Sequence, residues 1–158
     1  QKKKNFDFYD PLTTGDSSLS ACIQSIMACE AGYMEKAGRY ATYAALVDLR
    51  DIAGNVRDGL HIASIGGTWM VITYGFAGMR EHGGRLSFRP RLPRKTKTAG
   101  FKFRVVIRGQ MLEVNFDRVT DKVTYQLVEG SRLTIEHYGE EMNLDVGVPV
   151  VRDLQFAD

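Results

Sequence analysis

The sequence predicts a protein of the α plus β class with its elements in succession: helices over residues 1–80, then a small antiparallel β-sandwich over residues 81–158. Two observations carry that expectation. Apolar residues recur at three- and four-residue spacing up to about residue 80 and at every second position after it. Between the two regimes lies LSFRPRLPRKTKTAG, Leu86 to Gly100, rich in proline and charge, which reads as a join. A chain of 158 residues with 44% hydrophobic and 25% charged residues has enough apolar content for a sizeable core.

In the first helix Leu19, Cys22, Ile23, Ile26 and Met27 share one face. Asp16 or Ser17 is expected to cap it and Gly32 to end it. Ala37, Tyr40, Ala41, Ala44 and Ala45 mark a second helix, with Glu35 and Arg39 at ion-pair spacing. Ile62, Ile65, Trp69, Ile72 and Phe76 mark a third, ending near Gly75 to Gly78, with Trp69 and Phe76 read as core. Gly66 and Gly67 sit inside that helix, where each glycine costs about 1 kcal/mol relative to alanine. The pair therefore implies close approach, either by a ligand or by a neighbouring helix.

The strand pattern follows. Phe103, Val105 and Ile107 share a side, as do Leu112, Val114 and Phe116, with Arg108-Gly109 as the tight turn between them. Val123, Tyr125 and Leu127 come next, then Leu133 and Ile135, then Met142, Leu144 and Val146. Short alternating strands at this spacing predict the sandwich.

Cys22 and Cys29 lie seven residues apart in one helix, hence about 10 Å apart along its axis, too far to bridge. They read as reduced and buried, in a cytoplasmic setting. C-x-x-C spacing is absent, so no metal site is expected. No apolar run spans a bilayer and no signal peptide is visible. The start QKKKNFDFYDP, without an initiator Met, is expected to be that of a piece from a longer polypeptide. The first helix points the same way. It carries little polar surface between Leu19 and Cys29 beyond Ser20, Gln24 and Ser25, and therefore asks for more neighbours than three helices supply.

Arg85, Arg89, Arg91, Arg94, Lys95, Lys97, Lys102 and Arg104 interleave with Phe88, Phe101 and Phe103, a pattern that can bind single-stranded nucleic acid. With a net charge of only +2 and no ribonucleoprotein-type motif, a solvated edge beside the join is the better reading. P-loop, G-x-S-x-G, H-E-x-x-H and zinc-deaminase patterns are absent, and Glu30, Glu35, Asp48, Asp51 and Asp58 stand in no catalytic setting that the sequence reveals.

Two segments carry more. TTGDSSLS (Thr13 to Ser20) and DGLHIASIGGTW (Asp58 to Trp69) each place small hydroxyl and glycine residues where a helix begins. A helix start directs free N–H groups and a positive dipole end outward, which suits an anion. Ser17, Ser18 and His61 are the candidate ligands; ordinary helix capping is the competing reading of the same residues.

YDPLTTGDSSLS, then DGLHIASIGGTW, then LSFRPRLP and the alternation around IRGQMLEV, in that order from Tyr9 to about Phe116, resemble the C-terminal part of glycoside hydrolase family 65. That family includes maltose, trehalose and kojibiose phosphorylases and related hydrolases. The resemblance implies that residues 1–80 are the last helices of an (α/α)6 catalytic barrel and residues 81–158 its β-sandwich C-terminal domain. It implies cleavage of an α-glucoside disaccharide with inversion, with inorganic phosphate as co-substrate and no other cofactor. Ser17, Ser18 and His61 match positions that line the phosphate site, with Ser64 and Gly66 as further members of that wall. The general-acid glutamate belongs to an upstream G-P-D-E-type segment that this sequence does not contain, so no catalytic residue is assigned here and the missing N-terminal segment is an expected partner. A homodimer is implied by the same analogy. Gly15 stands where many family phosphorylases carry histidine, which leaves water open as the nucleophile. A non-catalytic carbohydrate-binding or structural module remains the alternative, ahead of a nucleic-acid-binding domain.

Overall fold

The computed structural model describes residues 1–93 and 99–155. They fall into two compact units. One holds residues 1–78 with Arg91–Pro93; the other holds Met79–Pro90 and the described residues from 99 onward. Among the described residues, no helix is long and apolar enough to cross a membrane.

The first unit is helical. Helix α1 (Lys2–Tyr9) runs into a 3-10 turn, Asp10–Leu12, and an open loop. Helix α2 (Ser20–Ala31) and helix α3 (Met34–Leu46) form the central pair. A second 3-10 turn, Val56–Asp58, precedes α4 (Ile62–Met70), which widens into a π-helical segment, Val71–Phe76. Gly32 ends α2 as expected, with φ +84 placing it in the left-handed region and Tyr33 N–H closing on Ala28 O at 2.9 Å. The Arg91 guanidinium donates to Cys29 O and Glu30 O at 2.8 and 3.1 Å, so a cation sits at the negative end of α2.

The start of α2 departs from expectation. The helix begins at Ser20 with Leu19 as N-cap and no side-chain cap. Neither Asp16 nor Ser17 caps it, because the chain enters through a tight turn that takes up Ser17: its Oγ accepts Leu19 N–H and its carbonyl accepts Ser20 N–H. Glu35 and Arg39 make no ion pair with each other among the described residues.

A larger correction concerns which faces are buried. The interior of α2 is Ala21, Cys22, Ser25, Ala28 and Cys29; of the predicted stripe Cys22 is buried and Ile26 and Met27 pack partly against the core, whereas Leu19 and Ile23 are exposed. In α4 the buried residues are Ser64 and Gly67, whereas Ile62, Ile65 and Trp69 are 72%, 51% and 43% exposed. Trp69 is therefore not core; Phe76 packs against both small clusters. Small residues win the interface because they let backbones approach, and close approach multiplies dispersion contacts. A Cβ on Gly67 would lie 2.6 Å from Cys22 Sγ, so the close approach inferred for the glycine pair is helix on helix and belongs to Gly67 alone. Ser25, read as polar surface, is fully buried and donates to Ala37 O at 2.9 Å.

The second unit is a two-sheet sandwich. Strands β1 (Arg80–His82), β2 (Arg85–Phe88), β6 (Arg132–His137) and β7 (Glu140–Asp145) form one sheet in the order β1-β2-β6-β7. Strands β3 (Gly100–Ile107), β4 (Gln110–Asp117), β5 (Lys122–Glu129) and β8 (Val150–Asp153) form the other in the order β3-β4-β5-β8. The β3–β4 turn is Arg108-Gly109, both residues at positive φ (51 and 74), which matches the twist of the flanking strands. One pairing is not antiparallel: β2 and β6 run parallel, Leu86 opposite Ile135. Between them the chain builds β3 to β5 in the other sheet, and a connection that long is free of the hairpin constraint.

Inward residues meet between the sheets. Leu112, Val114, Val123 and Leu127 are fully buried, and Phe88 of one sheet lies against Tyr125 of the other, 5.1 Å between ring centroids. Tyr125 Oη donates to His137 Nδ1 at 2.9 Å while His137 Nε2 faces Asp153 O at 3.3 Å, an arrangement that suits the neutral ring protonated on Nε2. Burial holds His137 below the usual histidine range and pushes Tyr125 up. Val146 leaves the pattern: it is exposed and touches the sheet only through a bridge to Leu127.

Candidate functional site

The candidate residues all belong to the helical unit, on two loops and the first turns of α4. Residues 13–18 form the first loop, which contains Gly15 at φ +77, a left-handed conformation that glycine adopts without cost and a histidine adopts only with strain. Ser17 is exposed and Ser18 half-buried. Ser17 Oγ accepts Leu19 N–H at 3.3 Å, and Ser17 O accepts Ser20 N–H at 3.0 Å.

Ser64 joins this loop to α4. Its hydroxyl donates to Ser18 O at 2.9 Å from a position with no solvent exposure, beside Cys22 Sγ. The two motifs separated in sequence are thus brought together through one buried hydrogen bond. Ser64 lies beneath the Ser17–Ser18 turn and donates its hydroxyl proton to Ser18 O. Gly66 lies on the open side of the helix, where a Cβ would meet nothing within 4 Å.

His61 is the N-cap of α4. Asp48, in the turn that follows α3, approaches it with both oxygens. Oδ2 accepts the His61 backbone N–H at 2.8 Å, and Oδ1 lies 2.5 Å from His61 Nδ1. The His61 ring holds Asp48 below the usual carboxylate range, by its side-chain hydrogen bond first and its backbone bond in support. A carboxylate therefore already sits at the start of α4, where the sequence suggests only an incoming anion. Asp48 is the correction to the view that no acid of the helical region has a recognisable setting.

The other ring nitrogen, Nε2, faces Asn55 Nδ2 at 3.4 Å, a long contact. Asn55 Oδ1 is buried and has no hydrogen-bond partner among the described residues. Asp51 fixes the loop that carries Asn55 by accepting Val56 N–H at 3.0 Å. Sequence reasoning misses Asp48 and Asn55 because neither lies at a periodic spacing from His61; a turn of irregular length connects them.

A second polar centre lies at the entry to the first loop. Asp10, at the 3-10 turn that leads into the first loop, is buried and accepts from Lys36 at 2.7 Å, Tyr40 at 2.8 Å and Gln24 at 3.0 Å. Burial alone would raise its pKa; the bonds from Lys36, Tyr40 and Gln24 overturn that and hold it below the ordinary value. It ties the loop to α2 and α3. No group of three or more His, Cys, Asp or Glu among the described residues could hold a metal ion.

The basic stretch is dispersed. Arg94, Lys95 and Lys97 lie outside the described residues. Arg85 pairs with Glu136, Lys102 and Arg104 pair with Glu113, Arg91 caps α2, and Phe88 is buried.

Comparison with known proteins bears on these residues. Residues 1–70 match the family model described as the glycosyl hydrolase family 65 central catalytic domain, and residues 79–144 match that described as the family's C-terminal domain. The chain is 41% identical over 145 residues to an alpha,alpha-trehalose phosphorylase of Thermoanaerobacter brockii, covering 92% of this chain and 18% of that protein. It is 35% identical over 144 residues to a maltose phosphorylase of Bacillus subtilis, covering 91% and 18%. Among solved structures, a protein assigned as a kojibiose phosphorylase from the human microbiome superposes with a TM-score of 0.82 at 28% identity, over 95% of this chain and 22% of that one. The chain spans about a fifth of the length of the curated relatives it matches.

Proposed function

This chain belongs to glycosyl hydrolase family 65, and on that premise we propose that it is the C-terminal portion of an inverting α-glucoside disaccharide phosphorylase. Residues 1–80 are the closing helices of an (α/α)6 catalytic barrel and residues 81–158 the C-terminal domain. The observation that carries this reading is the 41% identity to a trehalose phosphorylase across nearly the whole chain.

An upstream glutamate protonates the leaving sugar, and phosphate attacks the anomeric carbon from the opposite face. Phosphate is already an anionic nucleophile, so this chain supplies no base carboxylate. Its part is to hold phosphate in line with oriented donors. Ser17, Ser18 and His61 do so directly, Gly66 leaves the helix surface open for approach, and Ser64 locks the two loops to each other. The exposed face of Ile62, Ile65 and Trp69 supports the same reading, since an apolar stripe of that size on a catalytic-domain helix asks for a neighbour, and the remaining barrel helices would supply it. Phosphate acts as co-substrate, in the cytoplasm.

The test is an assay of the full-length protein that carries this chain, with trehalose, maltose and kojibiose, in the presence and absence of inorganic phosphate. Phosphate-dependent release of glucose 1-phosphate in the β configuration is expected. Free glucose at a rate indifferent to phosphate would replace phosphorolysis with hydrolysis, and no turnover of any α-glucoside would remove the enzyme reading altogether.

A further inference from the structure

We propose that Asp48 is a positioning residue for phosphate: by engaging the backbone N–H and the Nδ1 proton of His61 with separate oxygens, it commits ring atom Nε2 to the incoming oxyanion. This rests on the assignment of His61 to the phosphate site above.

Geometry comes first. A histidine has two ring nitrogens, and the bond made by one decides what the other can do. With Oδ1 at 2.5 Å, Nδ1 must carry a proton, because two acceptors do not approach that closely. Nε2 is then the atom left to the ligand. The second carboxylate oxygen, on the His61 backbone at 2.8 Å, prevents the ring from turning away, since Asp48 grips the residue at two points.

Charge acts in the same direction. A lone carboxylate beside a phosphate site repels the substrate. Paired with an imidazolium it is neutralised, and Nε2–H becomes a charge-assisted donor to a phosphate oxygen. In that doubly protonated form Asp48 is the countercharge to the ring. Asn55 completes the arrangement. Its amide Nδ2 donates to Nε2 of the neutral ring at only 3.4 Å while its own Oδ1 is buried without a partner among the described residues, so it is a weakly held donor that an Nε2–H displaces in favour of an oxyanion acceptor.

The experiment compares His61→Ala, Asp48→Asn, Asp48→Glu and the double variant His61→Ala/Asp48→Asn in the full-length protein, reading KM for phosphate, KM for disaccharide, kcat and thermal midpoint. Loss of a charge-assisted bond predicts that Asp48→Asn raises the phosphate KM by about tenfold or more while the disaccharide KM holds. Asp48→Glu recovers part of the loss. The double variant is no worse than His61→Ala alone, because the effect of Asp48 passes through the ring. An unchanged phosphate KM in Asp48→Asn beside a raised one in His61→Ala overturns the inference and leaves the proposed function standing. An unchanged phosphate KM in His61→Ala overturns the assignment of His61 itself. Additive losses, or equal rises in both KM values, would make Asp48 merely structural. Should Asp48→Asn fail to fold, 15N NMR of the histidine-labelled full-length protein, with the His61 signal assigned by its loss in His61→Ala, reads the tautomer directly: a protonated Nδ1 on His61 is expected, and a ring protonated on Nε2 alone refutes the proposal.

Discussion

The two units hide their apolar residues differently. In the β-sandwich the large side chains are inside: Phe88, Phe116, Tyr125 and Leu127 are all but fully buried. In the helical unit the fully enclosed helix contacts are small, with Ala28, Ala37, Ser25 and Ser64 at zero exposure beside a few large residues such as Phe6, Met34 and Val71, while Ile62, Ile65 and Trp69 face out. A sandwich must fill roughly 10 Å between its sheets, which only long side chains can do. Helices joined through alanine, serine, cysteine and glycine instead bring their backbones together, and the bulky residues are left for another surface. One unit has thus satisfied its apolar surface internally, and the other keeps a large share of it outward.

The strongest challenge to that contrast is in the sandwich. Phe116 stacks on Phe101 with centroids 4.5 Å apart and lies 6.3 Å from Phe103. Phe116→Ala should cost about 3–5 kcal/mol in urea unfolding followed by β-sheet circular dichroism. A loss below about 1 kcal/mol would mean that the sandwich is not held by its large residues. The next effect belongs to the helical unit. Gly67→Ala should cost about 1–3 kcal/mol through the clash with Cys22, whereas Gly66→Ala on the open side gains up to about 1 kcal/mol from helix propensity. Trp69, the single tryptophan, reports that unfolding by fluorescence. Equal effects at the two glycines would sink the close-packed α2–α4 contact. The smallest effect concerns the outward face. Ile65→Ala in this chain should change stability by no more than about 0.5 kcal/mol, despite the loss of most of the side chain. A loss of core size would place Ile65 inside after all.

Legibility in the sequence followed the same division. Strand alternation identified nearly every inward residue of the sandwich, from Phe103 through Leu144, because a period of two leaves only two faces and polarity separates them. It missed the parallel β2–β6 pairing, which depends on where a returning strand finds a free edge. Helical periodicity located α2, α3 and α4 but not α1; it selected the wrong face of α4 and a face of α2 turned partly outward at Leu19 and Ile23, since both faces are apolar and size, not polarity, decides between them. The site divided likewise. Ser17, Ser18 and His61 could be named from their motifs, whereas Asp48 and Asn55 reach His61 only through the irregular turn after α3.

The helix-then-strand order, the glycine stop at Gly32, the Arg108-Gly109 hairpin and membership of the family were all readable from the residues in order, because each depends on local backbone chemistry or on motifs in a fixed sequence. That Gly67 and not Gly66 is the contact, that Ser64 bonds the loop before α2, and that a carboxylate stands behind His61 emerged only with the chain folded. Those are matters of which atoms meet across distant turns, and no spacing along a chain specifies them.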